Sequence, residues 1–311
     1  MHSVGLAMPD GRPVAALRAA IADGPMVVAP GAYDGLTARL VEQRGFPAVY
    51  MTGAGTAAAH GYPDYGLVTM SEMVANAGRM ADAVTVPVIA DADTGFGNEL
   101  NVIRTVAEFA KAGVAAIHIE DQTFPKRCGH LAGKEIVDRG EWLRKIRAAC
   151  ENRPEPDLVI IARTDARAVA GLDEAVERAN QALALGADMA FVEAPQTLEE
   201  VAAIPGAVNG PCLFNVVPGG RSPTVELDQL AAWGYRMAIL PGVLLAAVVV
   251  ACDQALAAVK PTEADLVDGT ASGGPASFFR RAGAERWDRA RDRYATLETH
   301  SPEPAQESGR P

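Results

Sequence analysis

The sequence predicts an α/β fold, a (β/α)8 TIM-type barrel with a C-terminal helical extension. Eight short apolar runs recur in the first 260 of the 311 residues, and amphipathic stretches of helical period follow them. The runs are almost continuously apolar, which is typical of parallel strands buried on both faces. Eight alternating strand and helix units favour a closed barrel over an open doubly wound sheet.

The predicted strands are short runs of apolar and β-branched residues. In chain order they are Met26–Ala29, Ala48–Met51, Pro87–Ala90, Ala115–Ile119, Leu158–Ala162, Met189–Val192, Cys212–Asn215 and Met237–Leu240. The predicted helices include Gly35–Arg44, Leu100–Ala112, Gly140–Cys150, Leu172–Leu185 and Glu226–Ala232. A left-handed cap, which favours a residue without a side chain, is predicted before four strands, at Gly45, Gly113, Gly186 and Gly234. Residues 1–260 are therefore predicted to form one barrel domain that carries the active site.

The pattern changes after Pro261. An acidic link leads into a Gly/Ser/Ala stretch from Gly269 to Ser277, and a charged amphipathic helix runs from about Ala284 to Leu297. This helix cannot complete the barrel, so residues 261–299 are predicted to be a helical extension available for exchange between subunits. Residues 300–311 are rich in Pro, Glu, Ser and Gly, and we predict a disordered tail there.

Charge and hydropathy exclude some classes of partner. The formal net charge is -11 and no run is basic, which argues against a nucleic-acid partner. No apolar run is long enough to span a membrane, and the N-terminus lacks a signal pattern, so a cytoplasmic protein without a membrane partner is expected. The expected partner is a small molecule, and an anionic one would have to be attracted locally.

Two carboxylates end the third predicted strand, in the segment VIADADTGFGN. Asp91 and Asp93 are two residues apart, which predicts that both point the same way, and Glu120 ends the next strand. Such an oxygen-rich set suits a hard divalent cation, Mg²⁺ with Mn²⁺ as the other candidate, with waters as the remaining ligands. The alternative is a solvated acidic turn.

The segment KRCGH forms a loop after the fourth predicted strand. Cys128 is flanked by Lys126, Arg127 and His130, which predicts that its thiolate is favoured, and Gly129 lets the loop bend close to a ligand. Such a cysteine can act as an acid or as a nucleophile; the alternative is an exposed cysteine on a basic loop. The remaining thiols lack CxxC spacing and are predicted to be inert core cysteines: Cys150, Cys212 and Cys252.

A guanidinium ends the fifth predicted strand. Arg163 has the fork geometry that binds a substrate carboxylate, and an ion pair with Glu193 or Asp165 is a compatible alternative. His118 lies inside an apolar run, which predicts a core histidine rather than a catalyst, whereas His60 is in a loop and its role stays open.

Seven motifs in barrel order resemble the isocitrate lyase and phosphoenolpyruvate mutase superfamily. They are YMTGAGTAAAHGYPDYG, VPVIADADTGFGN, AAIHIEDQTFPKRCGH, IIARTDA, FVEAP, FNVVPGG and LPG. The KRCGH loop is similar to that of the lyase branch, whose members cleave isocitrate, 2-methylisocitrate or substituted malates and whose loop cysteine protonates the carbanion. The chain is too short for the isocitrate lyases proper and looks more like the 2-methylisocitrate and 2,3-dimethylmalate lyases. Oxaloacetate hydrolases share much of the motif set.

The resemblance implies a role for each matching residue. The implied metal group is Asp91, Asp93 and Glu120, with Asp64 helping through water. The implied substrate-binding residues are Thr52, Gly53, Ala54, Gly129, Arg163 and Asn215. The implied catalytic residues are Cys128, Tyr50, His130, Glu193 and Arg163. Thr52 and Ala54 depart from the usual Ser and the usual Gly or Trp, whereas Pro241 resembles the lyases and differs from the serine typical of oxaloacetate hydrolases.

The resemblance implies an Mg²⁺-dependent carbon–carbon lyase. It would cleave a 2-hydroxy di- or tricarboxylate, 2-methylisocitrate or a substituted malate, to pyruvate and a second carboxylic acid, with Cys128 as general acid. The alternative activity is hydrolysis or decarboxylation of oxaloacetate at the same site. A third reading, a barrel kept for assembly or sensing, does not explain why acidic, basic and thiol groups gather at one face. Relatives exchange a C-terminal helix and form dimers of dimers, so a homotetramer is expected.

Overall fold

Eight parallel strands close into a barrel, as the sequence predicts. The computed structural model describes residues 12–131, 133–154, 158–260 and 274–295. Each strand is hydrogen-bonded to the next one in the chain, and β8 pairs with β1. The strands are β1 Val27–Ala32, β2 Val49–Met51, β3 Val88–Asp91, β4 Ala116–Glu120, β5 Val159–Thr164, β6 Met189–Val192, β7 Cys212–Asn215 and β8 Met237–Leu240.

Helices surround the barrel and follow it in the chain. They are α1 Arg12–Asp23, α2 Gly35–Gln43, α3 Gly53–Ala59, α4 Met70–Ala83, α5 Glu99–Lys111, α6 Arg139–Glu151, α7 Ala166–Val169, α8 Leu172–Ala184, α9 Leu198–Ala207, α10 Leu227–Trp233, α11 Val243–Val259, α12 Gly274–Arg281 and α13 Ala284–Ala295. Within these described elements, none has the length and apolar character that a membrane span needs.

Alternation along the strands divides the core into an inner and an outer part. In β5, Ile161 packs inside the barrel, whereas Ile160 packs outward with the helices. Leu17 and Ile21 of α1 belong to the inner cluster, so α1 packs against the filled interior of the barrel. The polar side chains gather instead where the strands end, the usual position of active sites in this fold.

The strands that carry polar groups run further than predicted. β3, β4 and β5 end at Asp91, Glu120 and Thr164, one or two residues beyond the predicted apolar runs. Hydrogen bonding between strands continues past the last apolar side chain. Strand ends predicted from hydropathy alone therefore fall one or two residues too early. The four predicted glycine caps are confirmed, with positive φ at each: Gly45 at 78°, Gly113 at 82°, Gly186 at 103° and Gly234 at 100°.

Two helices follow the barrel in the chain. α13 confirms the predicted charged helix, but α12 occupies part of the Gly/Ser/Ala stretch, where no helix was predicted. The Arg281 guanidinium of α12 pairs with Asp253 of α11, and the Tyr65 hydroxyl donates to Asp288 of α13 (3.3 Å). The acidic link and the predicted tail lie outside the described residues. Exchange of this extension between subunits stays a prediction.

Candidate active site

A cavity of about 440 Å³ opens where the strands end. One side of it is polar and is lined by Tyr50, Thr52, Asp91, Cys128, His130, Arg163 and Asn215. The other side is apolar and is lined by residues of the β7 and β8 ends, α11 and α12. This size lies within the usual range of ligand pockets.

The paired aspartates lie at the end of β3 and in the turn that follows it. β3 ends at Asp91, and Asp93 has a left-handed φ of 46°, with its N–H donating to Asp91 Oδ1 (2.9 Å). Strand alternation, on which the prediction that both carboxylates point the same way was based, does not extend to Asp93, because the chain turns after Asp91. Both carboxylates, and that of Glu120, are buried at the site.

Lys126 lies among these acids. Its Nζ is 2.6 Å from Asp64 Oδ1 and 2.9 Å from Asp93 Oδ1. Within the described part of the chain, no three His, Cys, Asp or Glu side chains form a group ready to share one metal ion. The four predicted metal residues therefore lie in one region, with the Lys126 ammonium between two of them.

The chemistry of these acids nevertheless fits a hard divalent cation. Glu120 Oε1 is buried without a hydrogen-bond or ion-pair partner, whereas Glu120 Oε2 and Asp93 Oδ1 have ion-pair partners, Arg163 Nη1 at 3.2 Å and Lys126 Nζ at 2.9 Å. Burial, followed by the charges of Asp91 and Asp64, raises the pKa of Asp93 to about 7 despite Lys126. Burial also holds the pKa of Glu120 well above its usual value. A divalent cation would supply the positive charge that these carboxylates lack, and their oxygens would serve as its ligands.

The N-terminal turn of α3 approaches the acids closely. A side chain on Gly53 would place its Cβ 2.3 Å from Asp91 Oδ2, so only glycine leaves that carboxylate in place. Thr52 caps α3 by accepting the Gly55 N–H (3.3 Å). Thr52 and Ala54 line the cavity as a substrate-binding role requires, whereas Gly53 packs against Asp91.

The cysteine loop lies directly over the site. A Cβ on Gly129 would be 2.5 Å from Arg163 Nη2 and 2.6 Å from Glu193 Cγ. The backbone N–H of Cys128 donates to the Asp64 carbonyl (3.2 Å), which fixes the thiol above the acids.

The thiol of Cys128 is held in its neutral form. Burial, and next the charge of Asp64, raises the pKa of Cys128 to about 12. The prediction that the basic neighbours favour a thiolate is wrong, because Lys126 pairs with Asp64 and Asp93, and the His130 imidazole faces Glu193. A neutral thiol suits a proton donor better than a nucleophile.

His130, Glu193 and Asn215 form a hydrogen-bonded group, in which His130 and Glu193 are buried and Asn215 is half-buried. His130 Nδ1 accepts the Arg221 N–H (3.0 Å), so Nε2 carries the proton that faces Glu193 Oε1 (2.7 Å). Asn215 Nδ2 donates to Glu193 Oε2 (3.2 Å). Burial alone would raise the pKa of Glu193, but Arg163 and then His130 outweigh it and lower that pKa.

Arg163 joins the two halves of the polar side. Its Nη1 is 3.2 Å from Glu120 Oε2, and its Nε donates to Asp165 Oδ2 (3.0 Å). Nη2 lies 3.7 Å from Glu193 Oε2. The predicted ion pairs with Asp165 and Glu193 are therefore both present, and the guanidinium still lines the cavity.

Tyr50 contacts His118, the predicted core histidine. Its hydroxyl is 2.8 Å from His118 Nε2, and His118 is fully buried. Burial lowers the pKa of His118 to about 4, so its ring is neutral, and its Nε2 shares a hydrogen bond with the Tyr50 hydroxyl. Burial, and then Asp91, raises the pKa of Tyr50 well above its usual value, so the tyrosine stays protonated. His60, whose role was left open, is exposed at the C-terminus of α3.

The remaining cysteines lie outside the site. Cys212 is buried in β7 and Cys150 is half-buried, in agreement with inert thiols, but Cys252 of α11 is exposed. The prediction of a core position is wrong for Cys252, because the apolar α11 exposes much of its surface in the single chain.

Two features of the site were missed from the sequence. Lys134 is buried against Asp165 (2.6 Å), and Phe278 and Phe279 of α12 line the cavity. The only sequence signal for Lys134 is that a single lysine stands at the end of the glycine-containing loop. No signal in the Gly/Ser/Ala stretch placed α12 at the barrel mouth.

Comparison with known proteins identifies the family. The family described as phosphoenolpyruvate phosphomutase matches residues 17–260. The chain is 51% identical over 228 residues to a 2,3-dimethylmalate lyase of Eubacterium barkeri, covering 73% of this chain and 79% of that protein. It is 42% identical over 259 residues to a 2-methylisocitrate lyase of Aeropyrum pernix, covering 83% of each.

Solved structures give the same family. A crystal structure of 2,3-dimethylmalate lyase, a member of the PEP mutase/isocitrate lyase superfamily, has a TM-score of 0.78 at 38% identity and covers 91% of this chain and 95% of that one. Oxaloacetate acetylhydrolase with 3,3-difluorooxaloacetate has a TM-score of 0.77 at 36% identity, covering 91% and 98%. Phosphonopyruvate hydrolase with oxalate and Mg²⁺ has a TM-score of 0.73 at 31% identity, covering 91% and 99%. The chain therefore belongs to the phosphoenolpyruvate phosphomutase family, within the PEP mutase/isocitrate lyase superfamily, and its similarity to the two lyases supports a lyase.

Proposed function

We propose that the chain is an Mg²⁺-dependent carbon–carbon lyase that cleaves an alkyl-substituted malate or 2-methylisocitrate to pyruvate and a second carboxylic acid. The observation that carries the proposal is the pairing of a neutral Cys128 thiol with a buried group of acids on one cavity. Together they would place a proton donor and a cation site of the protein next to the same bound substrate.

The acids would hold the metal. Asp91, Asp93 and Glu120 are the proposed ligands, with Asp64 acting through water, and Mn²⁺ is the other candidate ion. Bound there, the ion would polarise the C1 carboxylate and 2-hydroxyl of the substrate and make the hydroxyl more acidic. The buried Glu120 Oε1, which has no hydrogen-bond or ion-pair partner, supports this assignment.

The reaction is a retro-aldol cleavage. The 2-hydroxyl loses its proton, a C=O bond forms at C2, and the C2–C3 bond breaks with its electron pair left on the C3 fragment. Cys128 then gives its Sγ–H proton to C3, and the hydroxyl proton ultimately restores the thiol. Overall, the C2–C3 and O–H bonds break and a C=O π bond and a C3–H bond form, so no oxidant or further reactant is needed.

Donors on the polar side would stabilise the fragment that carries the charge. Arg163 and Asn215 line the cavity and contact Glu193, and the Nε2–H of His130 helps to orient that carboxylate, so these groups are held in place before substrate binds. Preorganised donors of this kind contribute a few kcal/mol each to a charged transition state. The Cys128 loop above them would exclude water, which protects the carbanion until it is protonated.

The apolar side of the cavity favours an alkyl-substituted substrate. Pro241 and Val216 at the barrel mouth, Val249 of α11 and Phe278 of α12 line that side. An unsubstituted oxaloacetate would leave this apolar wall without a partner, whereas methyl groups would bury against it. We therefore place the lyase before the hydrolase among the candidates.

Hydrolysis or decarboxylation of oxaloacetate is the second candidate. The structural similarity to oxaloacetate acetylhydrolase, at a TM-score of 0.77, favours keeping it in the comparison. Either reaction would use the same metal group. Water would attack oxaloacetate in the hydrolysis, and a proton would be added to the carbanion in the decarboxylation.

A substrate panel separates the candidates. The purified chain is incubated with Mg²⁺ and 2,3-dimethylmalate, 2-methylisocitrate, malate or oxaloacetate, and pyruvate, glyoxylate, oxalate and CO₂ are measured. We expect pyruvate from one of the two methylated acids. Malate, whose C2–C3 cleavage would give glyoxylate and acetate, should give little glyoxylate. Oxalate from oxaloacetate, with no pyruvate from any hydroxy acid, would overturn the lyase assignment. Pro241→Ser is the paired variant, because a serine hydroxyl would make that wall polar, and it should reduce turnover of the methylated substrate.

A homo-oligomer, a dimer of dimers, is the proposed assembly. α11 exposes Val243, Val248, Leu256 and Val259, of which Val259 is 84% exposed in the single chain. A helix with this much uncovered apolar surface usually packs against another surface. Light scattering after gel filtration should give four times the chain mass, and a monomeric mass would contradict the proposal.

A further inference from the structure

Lys134 is a buried cation that no step of the proposed reaction uses. It lies six residues after Cys128, on the segment between β4 and α6, and its side chain is 2% exposed. Its Nζ donates to the Gly129 carbonyl (2.5 Å) and to Asp165 Oδ1 (2.6 Å). A buried ammonium group needs such partners because leaving it unpaired is costly.

The Gly129 contact ties Lys134 to the position of the cysteine loop. Gly129 lies so close to Arg163 and Glu193 that a Cβ there would overlap both side chains. The bond from Lys134 to the Gly129 carbonyl therefore forms while the loop lies on the site. Because both residues belong to the segment between β4 and α6, Lys134 joins the Gly129 turn to Asp165 at the end of β5.

The Asp165 contact ties Lys134 to the substrate side of the cavity. Asp165 uses its other oxygen, Oδ2, to accept from Arg163 Nε (3.0 Å). The Asp165 backbone N–H donates to Asp121 Oδ1 (2.7 Å), which fixes this residue at the end of β5. Asp165 is thus a rigid anchor that Lys134 and Arg163 share.

We propose that Lys134 is a positioning residue, which holds the Cys128 loop closed through Gly129 and keeps Arg163 correctly directed through Asp165. It acts through these groups and does not contact the reacting atoms. The inference builds on the proposed role of Cys128 but is tested by a measurement that needs no substrate. Without Lys134, the closed loop loses one of its ties, and Asp165 loses one of the two cations that orient its carboxylate toward Arg163.

The test compares two buried lysines. Lys134→Met keeps the length of the side chain but removes its charge and its donors. Lys145→Met is the matched control, because Lys145 of α6 is also buried (5% exposed) but pairs only loosely with Glu141 (3.8 Å), outside the site. Lys134→Gln, which retains an N–H donor, provides a second variant in case Lys134→Met does not fold. Thermal unfolding checks the fold of each variant.

Two quantities are measured on each folded variant. The first is the rate at which a bulky maleimide labels Cys128, read by mass spectrometry of the peptide that contains it, without metal or substrate. The second is kcat and KM on the best substrate of the panel. For Lys134→Met we expect labelling about tenfold faster and kcat about 10- to 100-fold lower with a smaller change in KM. Lys134→Gln should lie between this variant and the parent, and Lys145→Met should match the parent.

Two results would overturn the inference. Unchanged labelling in the folded Lys134 variants would show that the loop does not depend on Lys134, whatever happens to kcat. Faster labelling with unchanged kcat would show that loop closure does not limit turnover. An inactive parent enzyme would refute the proposed function, but the labelling comparison would still decide whether Lys134 holds the loop.

Discussion

Replacement of Cys128 by serine is the most direct test of the proposed chemistry. Serine has nearly the same shape, and the backbone bonds that hold residue 128, from its N–H to Asp64 and from Leu131 to its carbonyl (2.9 Å), do not involve the side chain. The loop should therefore keep its position while the donor becomes a much weaker acid. General acid catalysis typically contributes 10²- to 10⁴-fold, so we expect kcat to fall by roughly that factor, which corresponds to about 3–5 kcal/mol of barrier.

The assay is pyruvate formation under saturating Mg²⁺, with binding of Mg²⁺ and pyruvate measured separately by calorimetry. Cys128→Ser should bind the ligand as the parent does and fail only in turnover. Cys252→Ser is the control, since Cys252 is exposed on α11, and it should retain full activity. A Cys128→Ser enzyme with a kcat within threefold of the parent would remove this residue from the reaction, because no serine could replace a thiol acid so well.

Three further predictions concern the metal group and the core. Chelator should inactivate the parent and excess Mg²⁺ should restore it, whereas Asp93→Asn should stay inactive at any Mg²⁺ concentration; full activity in chelator would contradict the metal assignment. Gly53→Ala should displace the Asp91 carboxylate, because its Cβ would lie 2.3 Å from Oδ2. It should raise the Mg²⁺ concentration for half-maximal activity by about 10- to 100-fold, and a titration that overlays the parent would refute the role of Asp91. Trp142→Ala removes a fully buried side chain of α6 and should lower the free energy of unfolding in urea by about 3–5 kcal/mol, against less than about 0.5 kcal/mol for the exposed Leu100→Ala; equal losses would contradict the packing.

The barrel itself could be predicted because its signals are local and repeated. Each strand reads as an apolar run, and the glycines before four of them supply the left-handed caps that end helices. The exact strand ends could not be predicted in the same way. Asp91 and Glu120 still belong to their strands, because backbone pairing does not depend on side-chain polarity.

The residues that line the polar side of the cavity could also be predicted, but their protonation states could not. Strand-end position placed Arg163 and Asn215 at one face, and both line the cavity. The protonation of Cys128 depends on which acids surround Lys126 and on how far the thiol is buried, and these are properties of the folded loop. Sequence neighbours alone therefore led to the wrong charge state. Helix α12 was missed for a similar reason, because its packing against α11 involves the distant Asp253.

The distribution of the working groups around the ring of strands has a consequence for folding. Tyr50, Glu120, Arg163 and Asn215 come from four different strands, and a fragment that lacks any one of them would present an incomplete pocket. Ligand affinity should consequently vanish in any half-barrel and return only when the halves reassociate. In the intact chain, a ligand at 100 times its dissociation constant would add about 2.7 kcal/mol to the stability of the native state, since only the complete ring binds it. Thermal shift with metal and product would then serve as a direct readout of ring closure.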